Sequence, residues 1–159
     1  MTQILFPKES DVTTNWLFYI ENEAKSLSQR DDFAIKNYLD REILNPEMER
    51  YLSSDDLPAD LDGVNDGDTL SLNLTEGLML KSFPDWLRRR FKKLKSKVKK
   101  IFCNVVLGIG ELDTKAIISA VLIALIPAFA TGLPAAVLPI VIGLFAYLLK
   151  FGIEITCPV

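Results

Sequence analysis

The chain has 159 residues, 49% of them hydrophobic and 25% charged, with a net charge of −3 and no histidine. The missing histidine excludes Ser-His-Asp and Cys-His nucleophilic catalysis, histidine-ligated metal and a histidine pH switch within this chain. The near-neutral total hides segregation: residues 1–80 hold 6 basic and 17 acidic side chains, residues 81–102 hold 10 and 1, and residues 103–159 hold 2 and 3.

Residues 1–53 read as a small acidic helical unit. Val12, Trp16, Tyr19 or Ile20, Glu23 or Ala24, and Leu27 recur at helical spacing, with Thr13, Thr14 or Asn15 as N-cap. A second run, Phe33, Ile35, Tyr38, Leu39 and Ile43, follows the cap candidates Asp31 and Asp32. It should stop at Asn45-Pro46, because proline disfavours helical backbone in the residue before it. A short third helix is expected around Glu47–Leu52. Trp16, Phe18, Phe33 and Tyr38 supply most of the bulk. Alone such a unit is marginal, since small domains bury a smaller fraction of their surface than large ones do. It is therefore expected to pack on another part of the chain. Met1–Glu9 lacks a basic segment followed by a long apolar run, so neither a secretory leader nor a transit peptide is expected.

Residues 54–83 are expected to form an acidic linker followed by a short β-hairpin. Six aspartates and no basic residue lie between Ser53 and Thr69, which should keep the segment extended or mobile. Asp60, Asp62, Asp66 and Asp68 around Gly63 have the oxygen-rich alternation of a calcium loop. The register fails, because Gly63 at the sixth position puts Pro58 at the first and Thr69 at the twelfth, where carboxylates are required. No metal site is expected. Leu70, Leu72 and Leu74 alternate as in a half-buried strand, and Glu76-Gly77 can turn it into Leu78-Met79-Leu80.

Residues 84–112 read as a basic amphipathic helix. Leu87, Phe91, Leu94, Val98, Ile101 and Val105 form one stripe, and nine Lys/Arg between Arg88 and Lys100 occupy the remaining face. Ser82 or Asp85 can cap it, and Gly108 and Gly110 can end it. Such a helix can lie at a membrane interface, where each Lys or Arg near an anionic leaflet is worth roughly 1 kcal/mol. The membrane-binding set is Trp86, Arg88, Arg89, Arg90, Phe91, Lys92, Lys93, Lys95, Lys97, Lys99 and Lys100. The competing readings are a solvated core helix, nucleic-acid phosphate binding and capture in a protein groove.

Residues 113–159 read as an apolar helical hairpin and a short tail. The 34 residues between Lys115 and Lys150 carry no charged side chain and no amphipathic period. A helix apolar on all sides must be buried, in protein or in lipid. Thr131, Gly132, Leu133 and Pro134 form a turn signal at the midpoint, leaving arms of ~17 residues or ~25 Å. Pro127 and Pro139 are expected to kink them. If the hairpin spans a bilayer, the Arg88–Lys100 run keeps both flanks on the cytoplasmic side. Alternatively the hairpin is the core of a soluble domain.

Cys103 and Cys157 are too few for a disulfide framework and belong to no C-x-x-C pair. They are expected to be packed, unpaired thiols, with S-acylation as the alternative. The sequence thus implies a mainly α, non-enzymatic protein without cofactor. It is expected in the cytoplasm and associated with membrane through its C-terminal third. The basic helix docks on anionic lipid, and the hairpin inserts under restraint by the N-terminal unit. A protein partner or self-association is compatible with this reading, and nucleic acid is less favoured. The alternative is a soluble helical adaptor whose hairpin is core and whose basic face binds protein or nucleic acid.

Overall fold

Asp31, Asn45 and Asp113 each accept the backbone N–H three residues further on, and these contacts set where three helices begin. The computed structural model describes residues 4–54, 57–58, 61, 84–109, 113–129 and 131–158. The elements are β1 (Ile4–Phe6), α1 (Thr14–Ser28), α2 (Asp32–Asn37), a π-helical segment (Tyr38–Glu42), α3 (Pro46–Leu52) and α4 (Asp85–Ile109). They continue with α5 (Thr114–Leu125), β2 (Leu133–Pro134), α6 (Leu138–Phe151) and α7 (Ile153–Thr156). The chain is mainly α, as its patterning implies.

The core is built around α6. Leu138 and every residue from Ile140 to Tyr147 are buried, although none of them is charged and the helix has no polar face. The burial is supplied by protein. α1 packs along α6 in the same direction: Trp16 and Leu138 line one groove at the N-terminal ends, and Lys150 Nζ donates to Arg30 O at 2.5 Å at the C-terminal ends. Phe102 of α4 meets Phe145 edge-on, with centroids 4.9 Å apart. The π-helical segment presses hardest. A Cβ at Gly143 would stand 2.4 Å from Leu39 Cδ2, so only glycine admits this approach. α5 covers part of the remainder through Ile118, Val121, Leu122 and Leu125.

The expected turn is present, but its setting differs from a free tip. β2 pairs antiparallel with β1, Ile4 opposite Pro134 and Phe6 opposite Leu133. Gly132 has φ of +104°, and a Cβ there would lie 2.7 Å from Pro7 Cα. The first strand thus covers the turn, and Gly132, Leu133 and Pro134 are buried while Thr131 is exposed. The hairpin expected over Leu70–Leu80, and Asp60, Asp62, Asp66 and Asp68, lie outside the described residues.

Several expectations are corrected. The arms are 12 and 14 residues long, ~18 and ~21 Å, against ~30 Å of bilayer hydrocarbon. Among the described residues no helix is long and apolar enough to cross a membrane. Pro127 and Pro139 do not kink the arms. They occupy the first turns of a 3-10 segment and of α6, where no backbone donor is needed. Of the four N-terminal aromatics, Phe18 and Phe33 are 45% and 62% exposed. Trp16 packs on Phe6 and Tyr38 faces Gly143, so these two aromatics pack on the strand that covers the turn and on α6, while α3 meets α4. Leu61 is buried in the core and Leu57 packs against it, so the chain beyond α3 stays on the protein at these points. Cys103 and Cys157 are joined in a disulfide, with Cα atoms 5.5 Å apart. Neither is a free thiol, because α4 and the tail after α6 meet at a sequence separation of 54 residues, which no local motif encodes.

Candidate anion-facing site on the basic helix

The amphipathic character of α4 decides which basic side chains reach solvent. Its core face is Leu87, Phe91, Leu94, Val98, Phe102 and Val106. The expected stripe holds as far as Val98. Beyond it Phe102 and Val106 take the buried positions, and Ile101 and Val105 are only half-buried. The aromatic contact with Phe145 selects this face at the C-terminal end.

The expected membrane-binding residues therefore separate into distinct roles. Phe91 is fully buried and belongs to the core. Lys95 is buried as well, its side chain 12% exposed, with Nζ 3.1 Å from Asp40 Oδ1 and over the ring of Phe91 at 4.4 Å. Burial pulls the Lys95 ammonium below the ordinary lysine range, and the Asp40 charge and hydrogen bond oppose that shift. Asp40 itself is completely buried, in the π-helical segment that presses on Gly143. Arg90 donates from Nη1 to Leu52 O at 2.7 Å and lies over Trp86 at 5.3 Å, tying α4 to the end of α3. Lys92, Lys93, Lys97 and Lys99 are half-buried, each with a contact of its own. Arg89 and Lys100 are exposed.

One group of charges forms a concavity. Asp85, Arg88, Arg89 and Lys92 line an open cavity of about 210 Å³ on the first turns of α4. Arg88 Nη2 donates to the Asp85 carboxylate, whereas Arg88 Nε is buried and has no hydrogen-bond partner among the described residues. Trp86 is 46% exposed beside this group. An amphipathic indole at the edge of a cationic surface is the side chain that settles best at a lipid headgroup boundary.

A second opening is apolar, about 390 Å³, and is lined by Leu5, Asn15, Trp16, Tyr19, Ala135 and Leu138. α3 touches both α4 and the turn before α6, so both openings lie at the end of the bundle where α4 and α6 begin. Sequence reasoning missed this groove, because β1 and the turn before α6 are distant in the chain. It also missed the Asp40–Lys95 pair. The only signal was an aspartate adjoining Leu39 in an otherwise apolar-facing run.

No family model, curated protein or solved structure matches the chain. The site offers cations and an exposed indole, and among the described residues no group of three or more His, Cys, Asp or Glu side chains could hold a metal ion.

Proposed function

We propose that this chain is a non-enzymatic membrane-acting protein that docks on anionic lipid through the N-terminal turns of α4 and carries its apolar hairpin in a folded, sequestered state. The observation that supports this reading most directly is the burial of α6. A helix with no polar face is stable in either protein or lipid, and here the N-terminal helices form much of its cover. The docking charges and Trp86 occupy one end of the bundle, so the protein can meet a surface without first unfolding. The paired cysteines favour an oxidising compartment over the cytoplasm expected from their number. They also close the base of the hairpin, so both of its ends would remain on one side of a bilayer.

The test is flotation of the full chain with vesicles. Binding to anionic but not neutral vesicles, weakening as salt screens the charges, is the expected result. Equal recovery with both vesicle types would remove the electrostatic docking role. Carbonate washing then reports insertion, because a peripheral protein is released and an inserted hairpin is retained.

A second reading has its own support. The short arms and their burial suit a helical interaction protein whose hairpin is permanently core. Full release by carbonate under all membrane conditions, together with partner binding through the basic face, would favour it.

A further inference from the structure

We infer that the Cys103–Cys157 disulfide is a redox-sensitive clasp: it holds the tail after α6 on α4, and its reduction by a thiol releases that tail and frees the hairpin to enter a membrane. The inference rests on the docking reading above and supplies its regulation. Little besides the bond holds the tail. α7 is four residues long, and of residues 152–158 only Thr156 and Cys157 are buried. Ile153 and Ile155 are 40% and 56% exposed, so the two large apolar side chains that could dock the segment leave much of their surface in solvent. Thr156 Oγ1 is buried with no hydrogen-bond partner among the described residues, and such a hydroxyl costs free energy in the docked position. The hydrogen bonds from Thr156 N to Gly152 O and from Cys157 N to Ile153 O lie within the tail and would travel with it. The tail joins α6 through Gly152, whose φ is +84° and which has open space where a Cβ would stand. Glycine populates positive and negative φ alike, so this joint can turn. A segment with few buried apolar groups belongs to the low-stability end of a fold, and here a covalent bond to Cys103 holds it in place.

The exposure of the two cysteines sets the order of the chemistry. Cys103 is half-buried on α4 beside the exposed Asn104, whereas Cys157 is buried. An incoming thiolate therefore approaches the sulfur of Cys103. It forms a bond to Cys103 Sγ as the Cys103–Cys157 bond breaks, and the electron pair leaves on Cys157 Sγ, which takes up a proton. A second thiol attacks the outer sulfur of the mixed disulfide, and Cys103 leaves as a thiolate and is protonated in turn. The chain gains two electrons and two protons, and two thiols become one disulfide. The sulfur expelled first is the one on the tail, so the first step already separates the tail from α4. The bond also ties the basic helix to the hairpin next to the contact of Phe102 with Phe145. Once it is open, α4 can stay on a surface while α6 moves away from it.

The experiment treats the oxidised full chain with dithiothreitol in native buffer, pulses it with iodoacetamide and reads each cysteine by peptide mass spectrometry. The bond should reduce without denaturant, and Cys157 should then alkylate within roughly tenfold of its rate in urea, as expected of a locally opened segment. Hydrogen exchange should rise over residues 152–158 and stay unchanged in α1 and α3. A bond that resists dithiothreitol until the chain unfolds, a Cys157 that stays protected after reduction, or exchange that rises evenly over the whole chain would overturn the clasp. In the membrane arm, reduction should raise dye release from anionic vesicles several-fold without weakening flotation. Cys103→Ser with Cys157→Ser should leak like the reduced chain whether or not reductant is present. The unmodified chain supplies both redox states, so the result stands even if that variant does not fold. Equal leakage from oxidised and reduced chains that both float would overturn the clasp and leave the docking reading intact. Flotation of neither form would overturn both.

Discussion

Lys95 shows how far a single side chain can depart from the face its neighbours suggest. It lies in a run of lysines and arginines, yet its ammonium is held inside by the fully buried Asp40. Breaking such a pair strands the remaining charge. Lys95→Met alone or Asp40→Leu alone should therefore cost about 3–5 kcal/mol, and the double substitution should recover most of it. Urea denaturation of the three variants measures this, and additive losses would show that the pair is not coupled. Tyr38 supplies a second residue-level test. Burial raises its phenol well above the ordinary range, and the charges of Glu23 and Glu42 add to the shift. The folded state thus keeps a proton that the unfolded state releases above pH ~10, so stability falls as pH rises past that value. Tyr38→Phe should flatten the alkaline limb of the stability curve, and an unchanged limb would assign it to other groups. At Gly143 an added methyl would overlap Leu39, and Gly143→Ala should cost about 1–3 kcal/mol through overpacking.

Among the elements, α6 and α4 respond to different constraints. α6 has no polar face, so its burial needs no particular rotation, and what orients it is the close approach of the π-helical segment at Gly143. α4 has one apolar stripe, and its rotation is set by that stripe against α5 and α6. The disulfide adds a covalent constraint between α4 and the tail. Cys103→Ser with Cys157→Ser opens a loop whose ends are 54 residues apart, which should cost about 4 kcal/mol in the chain-entropy account. The measurement is the denaturation midpoint with and without reductant. A midpoint that is insensitive to reductant in the unmodified chain would mean that the bridge contributes nothing to stability.

For the molecule as a whole, the question is whether the cover of the hairpin is only structural. Ile20 is fully buried on α1, the helix that runs beside α6. Ile20→Ala should cost about 2–5 kcal/mol. If the hairpin is a sequestered inserting element, the loosened chain should also release dye from anionic vesicles faster than the parent does. A lower melting temperature with no gain in leakage would mark the hairpin as core and nothing more. Phe33, Ile153 and Ile155 remain exposed at the opposite end from the docking charges.

The helical class, the cap at Asp31, the break at Asn45-Pro46, the amphipathic α4, the turn at Thr131–Pro134 and the charge segregation were all legible in the sequence. Each depends on local chemistry: caps, proline, 3.6-residue periodicity and composition act over a few residues. What remained hidden depends on residues far apart in the chain. Nothing near Cys103 announces Cys157, and nothing near Lys95 announces Asp40, 55 residues away. β1 covers a turn that comes more than 120 residues later. The choice between lipid and protein around α6 was also undecidable from its own residues, because an apolar helix satisfies its backbone internally and accepts either environment. In this structure the choice falls to the rest of the chain, which brings α1, α4, α5 and the π-helical segment against α6 and leaves three basic side chains converging on one concavity.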